Sequence, residues 1–376
     1  MPVGDAVQDG ARVQGRLSAY AHTSDTQMIR RRIHNPTHAD IVALEAALAA
    51  GEPIIVQYSD PLYTSDTLRE LERLAAIYGA LLQVRFYSHG AAGFDCAALR
   101  LMPSVRRLDL DCLARIENWR ELANMEQLEQ LSLGVFELED GEILTLDCLR
   151  GLRDLSLRDT RNRIFDLGVL ESFTRLETLG LAGHTRGIEV LGRLKHLHDL
   201  SLYMIPRGTS LASLSQTSSL RVLHLTLGGR ESIAEVEIPH LEELHVIRVR
   251  GLRDVGALGR FPSLVRVLVE DQIQLEQIEL SADNAALESV RVINCKSLRA
   301  LPGLELLPRL TEVRIFRTAL EASTLKRSRL SSSLRTVAFS TGKARADRSI
   351  RATIGELGYM DGVKDGSDLA IDWERG

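Results

Sequence analysis

Asp109 and Asp111 stand two residues apart in VRRLDLDCL, an alternation that places both carboxylates on one face of an extended strand. Two carboxyl groups so placed could divide acid and base work between them, with Asp154 and Asp159 a strand or two away. Arg106, Arg107, Arg153 and Arg158 lie in the same neighbourhood, so compensating surface ion pairs are the simpler expectation. His224 and His245 form a second constellation, whose imidazoles titrate near neutral pH and could make a pH-sensitive contact. A metal site would need a third convergent ligand there, and none is evident. His184, His196 and His198 fall on turn and return segments and read as solvated surface. A basic patch of Arg291, Arg314, Arg317 and Arg335 is offset by Glu270, Asp271, Glu288 and Glu312, so no nucleic-acid partner is expected.

No motif adds chemistry to these clusters. The sequence holds no G-x-S-x-G, no H-E-x-x-H and no EF-hand loop, and Gly342-Lys343 lacks the first glycine of a phosphate-binding loop. Cys96, Cys112, Cys148 and Cys295 form no C-x-x-C pair and match no zinc spacing. With 44% apolar residues, 26% charged residues and a net charge of −5, the composition is that of an ordinary folded chain. The 46 basic residues are almost all arginine, a bias read first as that of a GC-rich genome. The start, MPVGDAVQDGARVQG, has no apolar core of signal-peptide length, and no run of 18 apolar residues occurs. A cytoplasmic, reduced protein without membrane partner or cofactor is the expectation, with signal-less secretion left open.

The elements that position these residues come from a repeat. The phrase apolar-x-x-apolar-x-apolar begins at Leu81, Val105, Leu128, Leu152, Leu176, Leu197, Leu220, Leu241, Leu264, Leu287, Leu310 and Leu334, at spacings of 21 to 24 residues. Twelve copies in phase resemble the leucine-rich repeat family, and the short repeats resemble its internalin-like bacterial branch. The resemblance implies an α/β solenoid, a curved horseshoe with a parallel concave sheet, and 3₁₀ turns on the returning side. The family's ninth position is Asn or Cys, whose side chain bonds free backbone groups at the turn. Here it holds His89, Leu113, Phe136, Thr160, His184, Ile205, Gly228, Val249, Gln272, Cys295, Thr318 and Gly342. Either the turns are satisfied differently or the repeats are irregular.

Positions five and seven project onto the concave face. The middle repeats are small there (Ser132, Gly134, Ser156, Gly180, Ala182), which predicts a shallow trough. The later repeats carry Tyr203, His224, His245, Ile247, Arg291, Ile293, Arg314 and Phe316. Exposed aromatics beside arginines have the composition of protein-interface hot spots, so these eight are the candidate partner-binding residues.

Flanking segments read as caps. Residues 1–36 are expected to be a flexible leader, 37–80 a helix-strand-helix cap, 81–340 the repeats and 341–376 a C-terminal cap. Pro36 precedes a helix stopped by Gly51, IIVQY at 54–58 reads as a buried strand, and Thr67 with Glu70 reads as the capping box of a second helix ended by Gly79. Ile350, Ile354 and Leu357 share a face of a last helix, DLAIDWE could add a strand, and Trp119 and Trp373 read as packing anchors. The resemblance implies non-catalytic recognition of another protein by an intracellular bacterial binding or regulatory protein. A secreted effector is the alternative. A ligase-type enzyme is disfavoured, because only 36 residues follow Ser340.

Overall fold

Apolar residues at positions one, four and six of each phrase point one way, so the strand between them has one face committed to a core. The computed structural model describes residues 30–90, 93–325 and 330–363, and its chain divides into two compact units, Met1–Gly187 and Ile188–Gly376. Residues 1–29 of the expected leader, the expected DLAIDWE strand and Trp373 lie outside the described residues.

In the first unit the strands are β1 (Arg31–His34), β2 (Ile54–Tyr58), β3 (Leu82–Ser88), β4 (Phe94–Asp95), β5 (Arg107–Leu113), β6 (Ile116–Glu117), β7 (Gln130–Val135), β8 (Asp154–Leu157) and β9 (Thr178–Ala182). β1, β2, β3, β5, β7, β8 and β9 pair in that order, all parallel, while β4 and β6 form a small separate pair. β1 falls inside the segment expected to be a flexible leader. Its residues RRIH are largely exposed, and arginines on an outermost strand discourage further edge pairing.

Helices α1 (His38–Ala43) and α2 (Glu45–Ala49) replace the single helix read after Pro36. Thr37 and Asp40 cap α1 reciprocally, and Gly51, at φ +82°, ends the segment in the left-handed region. Helix α3 (Ser65–Tyr78) corrects the sequence reading at its start. The N-cap is Thr64, whose hydroxyl accepts from Thr67 N, while Glu70 turns to Arg73. Leu68, Leu71, Leu74 and Ala75 are buried, and Gly79 caps the end as expected.

The second unit holds β10 (Asp199–Tyr203), β11 (Val222–Thr226), β12 (Glu243–Ile247), β13 (Arg266–Glu270), β14 (Ser289–Ile293), β15 (Glu312–Phe316) and β16 (Thr336–Ser340), then α4 (Ala344–Glu356) and β17 (Met360–Asp361). These strands also pair in sequence order and in parallel. Ile354 anchors α4, and β17 supplies a last short strand.

Within each unit the repeats share three devices. Leucines at the inward positions are almost wholly buried, each contributing about 1.5–3 kcal/mol. The carbonyl at position two accepts two N–H groups of the next repeat, as Arg106 O does from Glu129 and Gln130 and Glu242 O from Val265 and Arg266. The returns carry 3₁₀ turns, for example Leu167–Ser172 and Ala212–Gln216.

The strand exits settle the question raised by position nine. His184 Nε2 lies 2.8 Å from Arg158 O, Gln272 Nε2 donates to Glu270 O at 2.8 Å, and Cys295 Sγ sits 3.4 Å from Ile293 O. Histidine, glutamine and cysteine thus do at several turns what a run of asparagines would do. Position eight takes a left-handed backbone at Cys112, Met204, Leu227, Arg248, Asp271, Asn294 and Arg317, with φ between 50° and 61°. Irregularity is present as well: register shifts occur in β5 opposite β3 and β7.

Candidate functional site

The face of each sheet opposite the core carries positions three, five and seven, and in the second unit it holds all eight candidate residues. In-register pairing places His224 beside His245, then Leu268, Arg291 and Arg314 in one column. Tyr203, Thr226, Ile247, Glu270, Ile293 and Phe316 make the neighbouring column. The sequence thus locates both columns.

Their exposure is a correction. Tyr203 is 6% exposed, His224 and His245 3% each, Ile247 5% and Phe316 2%. Parallel strands stand ~4.8 Å apart, less than the breadth of these side chains, so members of one column cover each other. Arg291, Ile293 and Arg314 are half-buried and are the candidates that reach solvent.

Charges on this face are organised by a third column the sequence reading passed over, at position three: Glu243, Arg266, Ser289 and Glu312. Glu312 accepts from Ser289 Oγ at 2.7 Å, Arg291 Nε at 3.0 Å and Arg314 Nε at 2.7 Å. Burial pushes its carboxyl up, but these donors hold it below the usual range. Glu243 is gripped by Arg266 and stands 3.5 Å from His245 Nε2. Burial opposes its ionisation, yet the His245 and Arg266 contacts bring it down to about 2. Alternation of period two would have found this column, since positions three, five and seven share a face.

The two histidine rings meet edge to face, with centroids 4.2 Å apart, rather than converging on a common point. Among the described residues no group of three His, Cys, Asp or Glu side chains is placed to hold a metal ion.

Glu270 departs from the pattern of compensation. It is 7% exposed, and its Oε2 has no hydrogen-bond partner. Burial first, and Asp271 second, push its carboxyl up to about 7.

A second polar cluster occupies the same face of the first unit. Asp109 is held by the Gln83 amide at 2.7 Å and the Gln130 amide at 3.0 Å, while Arg107 steadies Gln130. Asp111 makes a two-point pair with Arg85, at 2.6 and 3.1 Å, and Arg85 reaches on to Gln57 and lies over the Tyr87 ring. Both aspartates are buried, so the expected surface ion pairs are replaced by an interior network with different partners. Arg106 and Arg153 bind Glu129 and Glu177 instead. Burial and the Asp111 charge raise the Asp109 carboxyl well above the usual range. The expected trough is also partly filled, because Arg158 lies against Gly134.

The inward apolar triad, the parallel ladder and the 3₁₀ returns together define a leucine-rich repeat fold. No family model and no curated protein matches the sequence. Among solved structures, an internalin from Listeria monocytogenes is 17% identical, with 76% of this chain and 78% of that one covered at a TM-score of 0.49. The leucine-rich repeat domain of the type III effector XopL is 14% identical, with 82% and 97% covered at 0.39. TLR13, in complex with a single-stranded RNA, is 16% identical, with 76% and 57% covered at 0.42. Among the described residues no helix is long and apolar enough to cross a membrane.

Proposed function

We propose that this chain is a non-catalytic scaffold that recognises another protein through the open face of β12–β15, with Arg291, Ile293 and Arg314 as its accessible contacts. The observation that carries the reading is the fixing of both arginines by one carboxylate, Glu312. Side chains already held in place lose little freedom on binding, which is how a rigid sheet gains affinity. His245, Ile247 and Phe316 support that surface from below rather than touching the partner first, and Tyr203 and His224 extend it. No cofactor takes part. The two neighbouring aspartates of the first unit are committed elsewhere, Asp111 to Arg85 and Asp109 to two amides, which favours recognition over paired-carboxylate catalysis there. The four free thiols, Cys96, Cys112, Cys148 and Cys295, fit a reducing, intracellular setting.

Affinity capture from native lysate, run in parallel with wild type and an Arg291→Glu/Ile293→Asp variant of unchanged fold, tests the reading. A protein retained by the first and lost from the second supports it. Equal retention would move the contact surface away from this face.

A further inference from the structure

Glu270 is costly where it stands. It occupies position seven of β13, directly opposite Ile247 on one side and Ile293 on the other. Leu268 lies two residues back on the same face and is buried. The nearest charges are Asp271 and Arg248, and these two pair with each other at 2.6 Å at the strand exit. On the same face, Glu243 and Glu312 are each held by arginine. Glu270 Oε2 has no such donor. An aliphatic residue would pack between Ile247 and Ile293 without desolvating a carboxyl group. A group that weakens the fold while its neighbours are compensated is the signature of a site kept for a ligand.

The surroundings specify that ligand. Aliphatic walls accept a methylene stem, and a single unsatisfied acceptor oxygen accepts a compact ammonium. An arginine fork engages both carboxylate oxygens at once, where an ammonium needs only one. We propose that Glu270, walled by Ile247, Leu268 and Ile293, receives a lysine side chain of the protein partner. The inference rests on the protein-recognition reading above and adds an inner contact, which a long side chain reaches between Ile247 and Ile293.

Selection of a random displayed-peptide library on the full chain tests it, followed by binding measurements on the selected peptides and on copies with lysine replaced by norleucine. The variant is Glu270→Gln, which preserves shape, with its thermal unfolding recorded as a check on folding. The expected result is a shared lysine in the peptides selected by wild type. Norleucine should then weaken binding by about tenfold or more, and the same step should matter little on Glu270→Gln, because the paired charge is already gone. Peptides that bind wild type without a lysine, or bind Glu270→Gln as tightly as wild type, would overturn the Glu270 assignment alone. No peptide enriched on wild type would remove the protein-recognition reading and this inference with it.

Discussion

His224 and His245, on adjacent strands and in register, meet edge to face at 83° with ring centroids 4.2 Å apart. Aromatic pairs in this arrangement contribute about 0.5–1.5 kcal/mol beyond their buried area. A double-mutant cycle with His224→Ala and His245→Ala, read by urea unfolding, should give a coupling of that size. Strict additivity would mean that the rings are neighbours without mutual attraction.

Glu270 should make stability depend on pH. Its folded value, about 7, lies above the ordinary 4.5. The folded state therefore holds the proton more tightly, and the stability this gives is complete below about 4.5 and lost as pH rises through 7. Glu270→Gln should gain on the order of 1–2 kcal/mol over wild type at pH 8 and much less at pH 5. Denaturant midpoints at the two pH values measure it, and a constant difference would contradict the burial argument.

Arg85 and Asp111 form a largely buried, two-point pair. Removing one partner leaves a buried charge, so Arg85→Met should cost about 3–5 kcal/mol. Adding Asp111→Leu should recover most of that loss. The comparison requires only chemical unfolding of the single and double variants.

Strand exits offer two opposite tests. Arg317 is exposed and left-handed at φ 51°, a conformation asparagine tolerates better, so Arg317→Asn should stabilise by about 0.5–1 kcal/mol. At His184 the ring satisfies Arg158 O, so His184→Leu should cost about 1–3 kcal/mol, with His184→Asn less harmful. Thermal unfolding orders the variants.

The repeat made the strands and their inward leucines legible, because a period-two pattern repeated every 21 to 24 residues admits little else. It also placed His224, His245, Arg291 and Arg314 in one column. What it could not supply was lateral packing: Phe316 and Tyr203 are covered by neighbours that are distant in sequence. Strand β1 escaped notice because RRIH has no apolar alternation and owes its pairing to β2. Glu312 is legible as a charge that offsets Arg291 and Arg314, but its column with Glu243 is not, because position three is not read as part of the face. Thr64 was passed over as the cap because Thr67 and Glu70 offered the same local pattern three residues later.

The central claim is that a partner docks on the open face of β12–β15. A photo-crosslinking amino acid at Ile293, compared with one at Leu306 on the 3₁₀ return Leu304–Leu306, tests it most directly in the presence of the captured partner. The account predicts a covalent adduct from position 293 and none from position 306. An adduct from 306 alone would place the partner on the returning side and contradict it.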